Sequence, residues 1–171
     1  MSQIALLMYV GSDAEVAVGR VKRRRLDFDS QDSSEKPADF FSISFLQGFI
    51  ALTWNLGSGA QRIATPSRID SRLNVHTLFA GRRGKQAWIK VDGVRNMTGR
   101  SPGLMNKLNV YSDLYVGAHE IARFEGLPHD LPLHQGFQGC IFDLGFRVIN
   151  KLYLPKRCRG GQASVDTVCI S

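Results

Sequence analysis

The strongest constraint on the fold is an alternation of apolar and polar residues that runs through positions 39–59. Phe41, Ile43 and Phe45 fall on one side of a period-two pattern, and Ser42 and Ser44 on the other, as in a half-buried strand. Leu46-Gln47-Gly48 is a short turn, after which Ile50, Leu52 and Trp54 resume the alternation. The segment predicts a β-hairpin that ends in Leu56-Gly57-Ser58-Gly59, a loop whose backbone carbonyls are not hidden by side chains. Asp39 opens the first strand and this loop closes the second, so both lie at one rim. A carboxylate and bare carbonyls converging there suit a hard cation.

The rest of the chain extends the β reading. Its 171 residues are enough for one domain with one substantial core. Seventeen glycines, six prolines and many short alternating runs argue for strands joined by frequent turns. The apolar run at 4–10 reads as a buried strand; it is short and has no basic residue before it, which makes a poor secretory signal. No stretch is long enough for a membrane-spanning helix. A net charge of +7 invites an anionic partner, whether nucleic acid, an acidic membrane surface or an acidic or sulfated polysaccharide. Three cysteines leave at least one unpaired and do not by themselves fix the redox compartment.

Residues 11–38 stand apart. Arg20-Val21-Lys22-Arg23-Arg24-Arg25 is followed by acidic and small polar residues with few apolar anchors, the signature of a long exposed loop. A polyanion patch on Lys22, Arg23, Arg24 and Arg25, a basic-site cleavage point and a gene-model insertion are the other readings of it. Beyond the hairpin, 73–79 is expected as a strand, 81–85 as a basic turn whose Arg82, Arg83 and Lys85 add to a polyanion-binding tip, and 87–93 as a strand ending in an Asp-Gly turn. Asn96-Met97-Thr98 is an N-glycosylation sequon. Residues 107–117 are expected as a strand with a polar bend, and 136–144 as another before a loop-rich tail with Cys158 and Cys169. His119, His129 and His134 match no compact zinc spacing. No helix beyond a turn or two is expected, and the chain reads as all-β.

Taken in order, several short blocks resemble the laminin G-like domain family. They are Asp39-Phe40-Phe41-Ser42-Ile43, Asn55-Leu56-Gly57-Ser58-Gly59, Val75-His76-Thr77-Leu78 and Gly81-Arg82-Arg83-Gly84, then Val91-Asp92-Gly93, Ser101-Pro102-Gly103, Leu114-Tyr115-Val116-Gly117 and Gly136-Phe137-Gln138-Gly139-Cys140. Each is weak alone; together they cover roughly residues 38–169 in the family's order, and 4–11 resembles its earlier Leu-Leu-Tyr strand. Within the family the likeness is greatest to the domains of pikachurin, perlecan and agrin.

The resemblance implies an antiparallel two-sheet jelly-roll sandwich, concanavalin A-like in architecture, secreted into the extracellular matrix and non-enzymatic. It implies Ca2+ at one rim, held by the Asp39 carboxylate, the Leu56 and Lys107 carbonyls and the Asn109 side chain. Its implied partners are a dystroglycan-like cell-surface glycoprotein receptor or a heparan sulfate-type glycan, beside other domains of a larger parent chain. It also implies a disulfide from Cys140 to Cys169, leaving Cys158 as a competing partner, an intermolecular link or a buried thiol. Three departures stand out: Val75 replaces the family's Trp and is expected as a smaller core residue, the 11–38 loop is long, and one or two N-terminal strands are absent, as in a fragment of a longer protein.

Other function classes find less in the sequence. Glycan hydrolases on jelly rolls need two facing carboxylates, and Glu15, Glu35, Glu120 and Glu125 all fall in loop-like segments. Nucleic-acid binding would want aromatics interleaved with cations on one face, whereas the aromatics here sit mostly in core-facing alternation. A metal-independent lectin or heparin-type module is the alternative, and calcium dependence separates it from the leading reading.

Overall fold

The computed structural model describes residues 4–11, 39–70, 73, 75–94, 96–117, 127–128, 130–131, 135–148, 151–153, 162–164 and 167–170, the last four strands by backbone alone. Among these residues there is no helix. The segment 12–38, the three loop histidines and Cys158 lie outside the described residues.

The central hairpin forms as its alternation requires. Strand β2 (Phe40–Leu46) pairs antiparallel with β3 (Phe49–Asn55), from Phe40 opposite Asn55 to Leu46 opposite Phe49. The turn places Gln47 at φ 52° and Gly48 at φ 95°. Two consecutive positive φ values give the turn a twist that matches the strands it joins. On one side β3 pairs with β4 (Ala60–Ala64); on the other β2 pairs with β1 (Ile4–Gly11), the apolar run at the start of the chain. Strand β8 (Tyr115–Val116) joins the far side of β1, giving a five-stranded sheet in the order β4-β3-β2-β1-β8.

A second antiparallel sheet, β5-β6-β7, is built from β5 (Leu78–Arg83), β6 (Gln86–Val91) and β7 (Met97–Arg100). Its Ala87, Ile89 and Val91 meet Phe41, Ile43, Ile50, Leu52, Trp54 and Leu56 of the first sheet in one buried cluster. The two layers touch closely where Gly99 faces Trp54: a Cβ there would come within 2.9 Å of the indole Cη2 and 2.7 Å of Ile63. Strand β9 (Gly139–Phe142) pairs with β13 (Thr167–Ile170), which also takes β12 (Gln162–Ser164), while β10 (Phe146–Val148) pairs with β11 (Lys151–Tyr153). The tail therefore carries strands that its loop-rich composition conceals.

Four local expectations are corrected. Ser42 and Ser44 are buried, not solvent-facing, because a second cluster of Leu6, Tyr9, Phe40, Leu127 and Leu131 covers the other face of the five-stranded sheet. Strand structure begins at Leu78 rather than 73, and Val75 is 55% exposed, so it is no core residue. Only Tyr115–Val116 of 107–117 is strand; the rest is a loop held by side chains and backbone from elsewhere. Phe79 and Trp88 point away from the core, since their strand neighbours Leu78, Ala80, Ala87 and Ile89 point into it.

Candidate functional site at the sheet rim

The rim is assembled from three segments distant in sequence. Phe40 opposite Asn55 puts Asp39 beside the loop that follows β3. That loop is shaped by Asn55, whose buried side-chain oxygen accepts from the Gly57 N–H at 2.9 Å and the Gly59 N–H at 3.2 Å. Such an Asx arrangement turns the chain at little cost. Gly57 has φ 89°, and a Cβ on it would stand 3.2 Å from Asp39 Oδ1, so a side chain here would crowd the carboxylate.

The third segment, 101–112, is stitched down along its length. Ser101 N–H donates to the Lys85 carbonyl at 2.9 Å, the Lys85 ammonium to the Gly103 carbonyl, and Arg82 Nη1 to the carbonyls of Gly84 and, at 3.1 Å, Asn106. Asn109 N–H then donates to Asp39 Oδ2 at 2.8 Å. Tyr111 and Ser112 N–H both donate to the Gly11 carbonyl, and Ser112 Oγ accepts from Gly11 N–H at 2.9 Å. The loop that carries Lys107 and Asn109 is thus fastened to the β5–β6 turn at one end and to the end of β1 at the other. At its tip Leu104 is 95% exposed.

Of the four ligand positions expected from the sequence, Asp39 and Asn109 are joined by that hydrogen bond, Lys107 precedes Asn109 by two residues, and Leu56 follows Asn55 at the same rim. The donors are all oxygens and include one carboxylate; among the described residues no three His, Cys, Asp or Glu side chains gather at one point. Arg82 adds a cation to this neighbourhood. Burial lowers its pKa, while the nearby Asp39 carboxylate acts in the opposite direction. Arg82 and Lys85, expected as part of a polyanion-binding tip, donate hydrogen bonds to loop carbonyls, and Arg83 of the same tip is exposed. Asn55 and the loop-fastening role of Arg82 were not read from the sequence, although an Asn shortly before Gly-Ser-Gly is a recognisable turn signal.

Other expected sites lie elsewhere. Asn96 is exposed immediately before β7. Cys140 is disulfide-bonded, and its register partner across β9 and β13 is Cys169. At the far end of the β5–β6 hairpin His76 Nδ1 lies 2.7 Å from Asp92 Oδ2, and Asp92 Oδ1 accepts from Thr77 N–H at 2.8 Å. Desolvation would raise the Asp92 pKa, but the His76 and Thr77 hydrogen bonds and the His76 charge outweigh it and hold the carboxylate below its usual range.

The family model for the laminin G domain matches residues 3–147. The chain belongs to the laminin G domain family. It is 45% identical over 148 residues to Protein eyes shut of Drosophila melanogaster, an alignment covering 84% of this chain and 6% of that protein. It is 38% identical over 113 residues to pikachurin of Rattus norvegicus, covering 64% of this chain and 11% of pikachurin. The chain thus spans a small part of the curated relatives it matches. Its fold matches the crystal structure of the LG1-3 region of the laminin alpha2 chain with TM-score 0.55 at 21% identity, over 78% of this chain and 22% of that one. The architecture is the all-β, antiparallel jelly-roll sandwich of that family. Laminin G domains are non-enzymatic modules that bind receptors or glycans, commonly with calcium. No helix among the described residues is long and apolar enough to cross a membrane.

Proposed function

We propose that the chain is an extracellular matrix adhesion module that uses Ca2+ at the β2–β3 rim to engage an anionic, glycosylated partner. The observation that carries the reading is the 2.8 Å hydrogen bond from Asn109 N–H to Asp39 Oδ2. It draws the first and last of the proposed ligands together across a long stretch of sequence. Ca2+ would take the Asp39 carboxylate, the Leu56 and Lys107 carbonyls and the Asn109 side-chain oxygen. These are the hard oxygen donors that calcium prefers, and the remaining coordination positions are left for water or for carboxylates of a partner. When bound, the ion supplies concentrated positive charge at the rim.

The chain's own residues do the positioning. Asn55 holds the 56–59 loop, Gly57 leaves room beside the carboxylate, and Arg82 and Lys85 tie down the loop that bears Lys107 and Asn109. With one carboxylate and a guanidinium close by, affinity falls in the range of about 10⁻⁴–10⁻³ M characteristic of extracellular modules. A dystroglycan-like receptor or a heparan sulfate-type glycan fits the open, positively charged rim. The setting would be outside the cell, with Asn96 glycosylated and Cys140 paired to Cys169; closing that loop contributes roughly 3–4 kcal/mol by the chain-entropy estimate.

Calorimetric titration with Ca2+ tests the reading. The wild-type chain is expected to bind with a sub-millimolar to millimolar constant and Asp39→Ala to lose binding. Equal heats from the two proteins would remove Asp39 from the site.

A further inference from the structure

The two layers of the sandwich are unequal. Strand β4 lies against β7 and β3 against β6, so the β5-β6-β7 sheet covers one side of the five-stranded sheet and leaves β1 and β8 without a counterpart in it. Burial follows this geometry. In the central strand β6 the inward side chains Ala87, Ile89 and Val91 are buried, whereas the inward Leu78 and Ala80 of β5 are only half-buried. On the facing sheet Leu7, Met8 and Val10 of β1 and Phe45 of β2 pack against the same cluster and are half-buried as well. These apolar side chains line one flank of the sandwich, where the core is open.

The backbone at this flank is open too. Strand β5 takes β6 on one side, and among the described residues no strand pairs with its other edge. An edge strand presents a row of N–H and C=O groups that another strand can complete, and proteins commonly blunt such an edge with charge. On β5 the charges are confined to its end, at Arg82 and Arg83; Leu78-Phe79-Ala80-Gly81 carries none, and Phe79 is 62% exposed. The loop 106–112 closes the flank at the rim end. It is tied to Arg82 at the Asn106 carbonyl and to the Gly11 carbonyl through Tyr111 and Ser112, and it packs Leu108 against the cluster. The result is a seat with an apolar floor, a hydrogen-bonding wall and one closed end.

We propose that this flank is a strand-acceptor site, which takes an extended segment of a partner protein in β-sheet pairing along β5. The chemistry of the seat specifies the segment. Pairing along Leu78–Arg83 takes about six residues, or ~20 Å of extended chain. Directly opposed residues of paired strands share a face. Side chains opposite Leu78 and Ala80 therefore point into the open core and are apolar, covering Leu7, Met8 and Val10. The side chain opposite Arg83 points outward, onto a sheet whose three strands contain arginine and lysine but no Asp or Glu, and is acidic. The segment is thus a short strand alternating apolar and acidic residues, held by its backbone and selected by its side chains. The site takes neither Asp39 nor Asn109, so it stands or falls independently of the calcium reading.

The probe is a capped, fluorescently labelled synthetic peptide of about seven residues that alternates glutamate and valine. It is titrated into the full chain in EDTA and followed by anisotropy, with hydrogen exchange mapped on the free and the saturated chain. Two further peptides serve as controls: one N-methylated throughout, which has no N–H donors, and one with lysine in place of glutamate. The expected result is saturable binding that slows exchange along 78–83. It falls about tenfold or more with the N-methylated peptide, which loses roughly two or three backbone hydrogen bonds. Arg83→Glu is expected to weaken the glutamate peptide several-fold and to strengthen the lysine peptide, an exchange of preference that mere loss of structure would not give. Should Arg83→Glu not fold, the N-methylated peptide and the exchange map decide alone. Equal binding of the N-methylated peptide, or binding without slowed exchange along 78–83, overturns the proposal, as does no binding of the glutamate peptide at all. Slow exchange along 78–83 in the free chain at every concentration shows that the chain fills its own edge. Slow exchange that dilution relieves shows a second copy there, and either result overturns the assignment to a partner's segment.

Discussion

The chain builds two hairpins of similar length, β2–β3 and β5–β6, and gives each one tryptophan, yet the two rings meet opposite environments. Trp54 of β3 is fully buried between the layers and faces Gly99 of the opposite sheet. Trp88 of β6 points outward and faces Gly81 of its own sheet. In both cases a glycine yields the space that a large ring occupies. Between layers this lets the sheets approach; on the surface it lets the ring lie flat. The same pair of residue types thus serves packing in one place and presentation in the other, and only the sheet's orientation decides which.

Substitution at these four positions breaks the comparison most sharply. Trp54→Ala removes the largest fully buried side chain and is expected to cost about 3–5 kcal/mol, read from urea denaturation. Trp88→Ala, on the solvent side, should cost under about 1.5 kcal/mol, since less of its area leaves water on folding. The glycines should follow their rings. Gly99→Ala forces a methyl against Trp54 and Ile63, which cannot retreat, at about 1–3 kcal/mol. Gly81→Ala meets a ring with solvent behind it and should cost less. Equal losses at the two glycines would mean that the outer ring is as confined as the inner one.

A second difference separates the two carboxylates that receive backbone N–H groups. Asp39 takes Asn109 N–H at the rim; Asp92 takes Thr77 N–H and His76 at the other end of the β5–β6 hairpin. The folded-state pKa of Asp92 lies below its unfolded value, so between the two the unfolded chain binds more protons and stability rises with pH. Its contribution is complete above the ordinary carboxylate value of about 4 and is lost as pH falls through the depressed folded value. The side chains are partly exposed, which keeps the effect under about 1 kcal/mol. Melting Asp92→Asn and wild type across pH 2–6 should show curves that converge at the acid end. A gap that persists to the lowest pH would assign the residue's role to turn geometry, since Asp92 itself holds φ 51°.

Much of this was legible in the residues. The β2–β3 register, the turn at Gln47 and Gly48 and the nearness of Asp39 to the loop after Trp54 all follow from a period of two, which fixes pairing and rim. Periodicity is local, and it fails where structure depends on partners from afar. Residues 107–114 alternate like a strand, but their hydrogen bonds go to Gly11 and Asp39, so they form a strapped loop. Val75, expected as a core residue, lies exposed, because the strand it was expected to occupy starts only at Leu78. The strands of the tail are short and their pairing is non-local, which leaves little local trace.

The smallest predicted effect bears on the same lesson. Ser42 and Ser44 alternate with Phe41, Ile43 and Phe45 as a solvent face would, and yet both are buried beneath Leu127 and Leu131 together with Tyr9 and Phe40. A strand shows its own period but not what covers its second face. Among the described residues the Ser42 hydroxyl has no hydrogen-bond partner. A buried polar group without a partner is a burden on folding, and removing it leaves only a small void. Ser42→Ala is therefore expected to change stability by no more than about 1 kcal/mol, neutral or stabilising, where an exposed serine would give nothing and a bonded buried one a loss. A clear loss in urea denaturation would show that Ser42 holds an ordered water and that the covering layer is wetter than its leucines suggest.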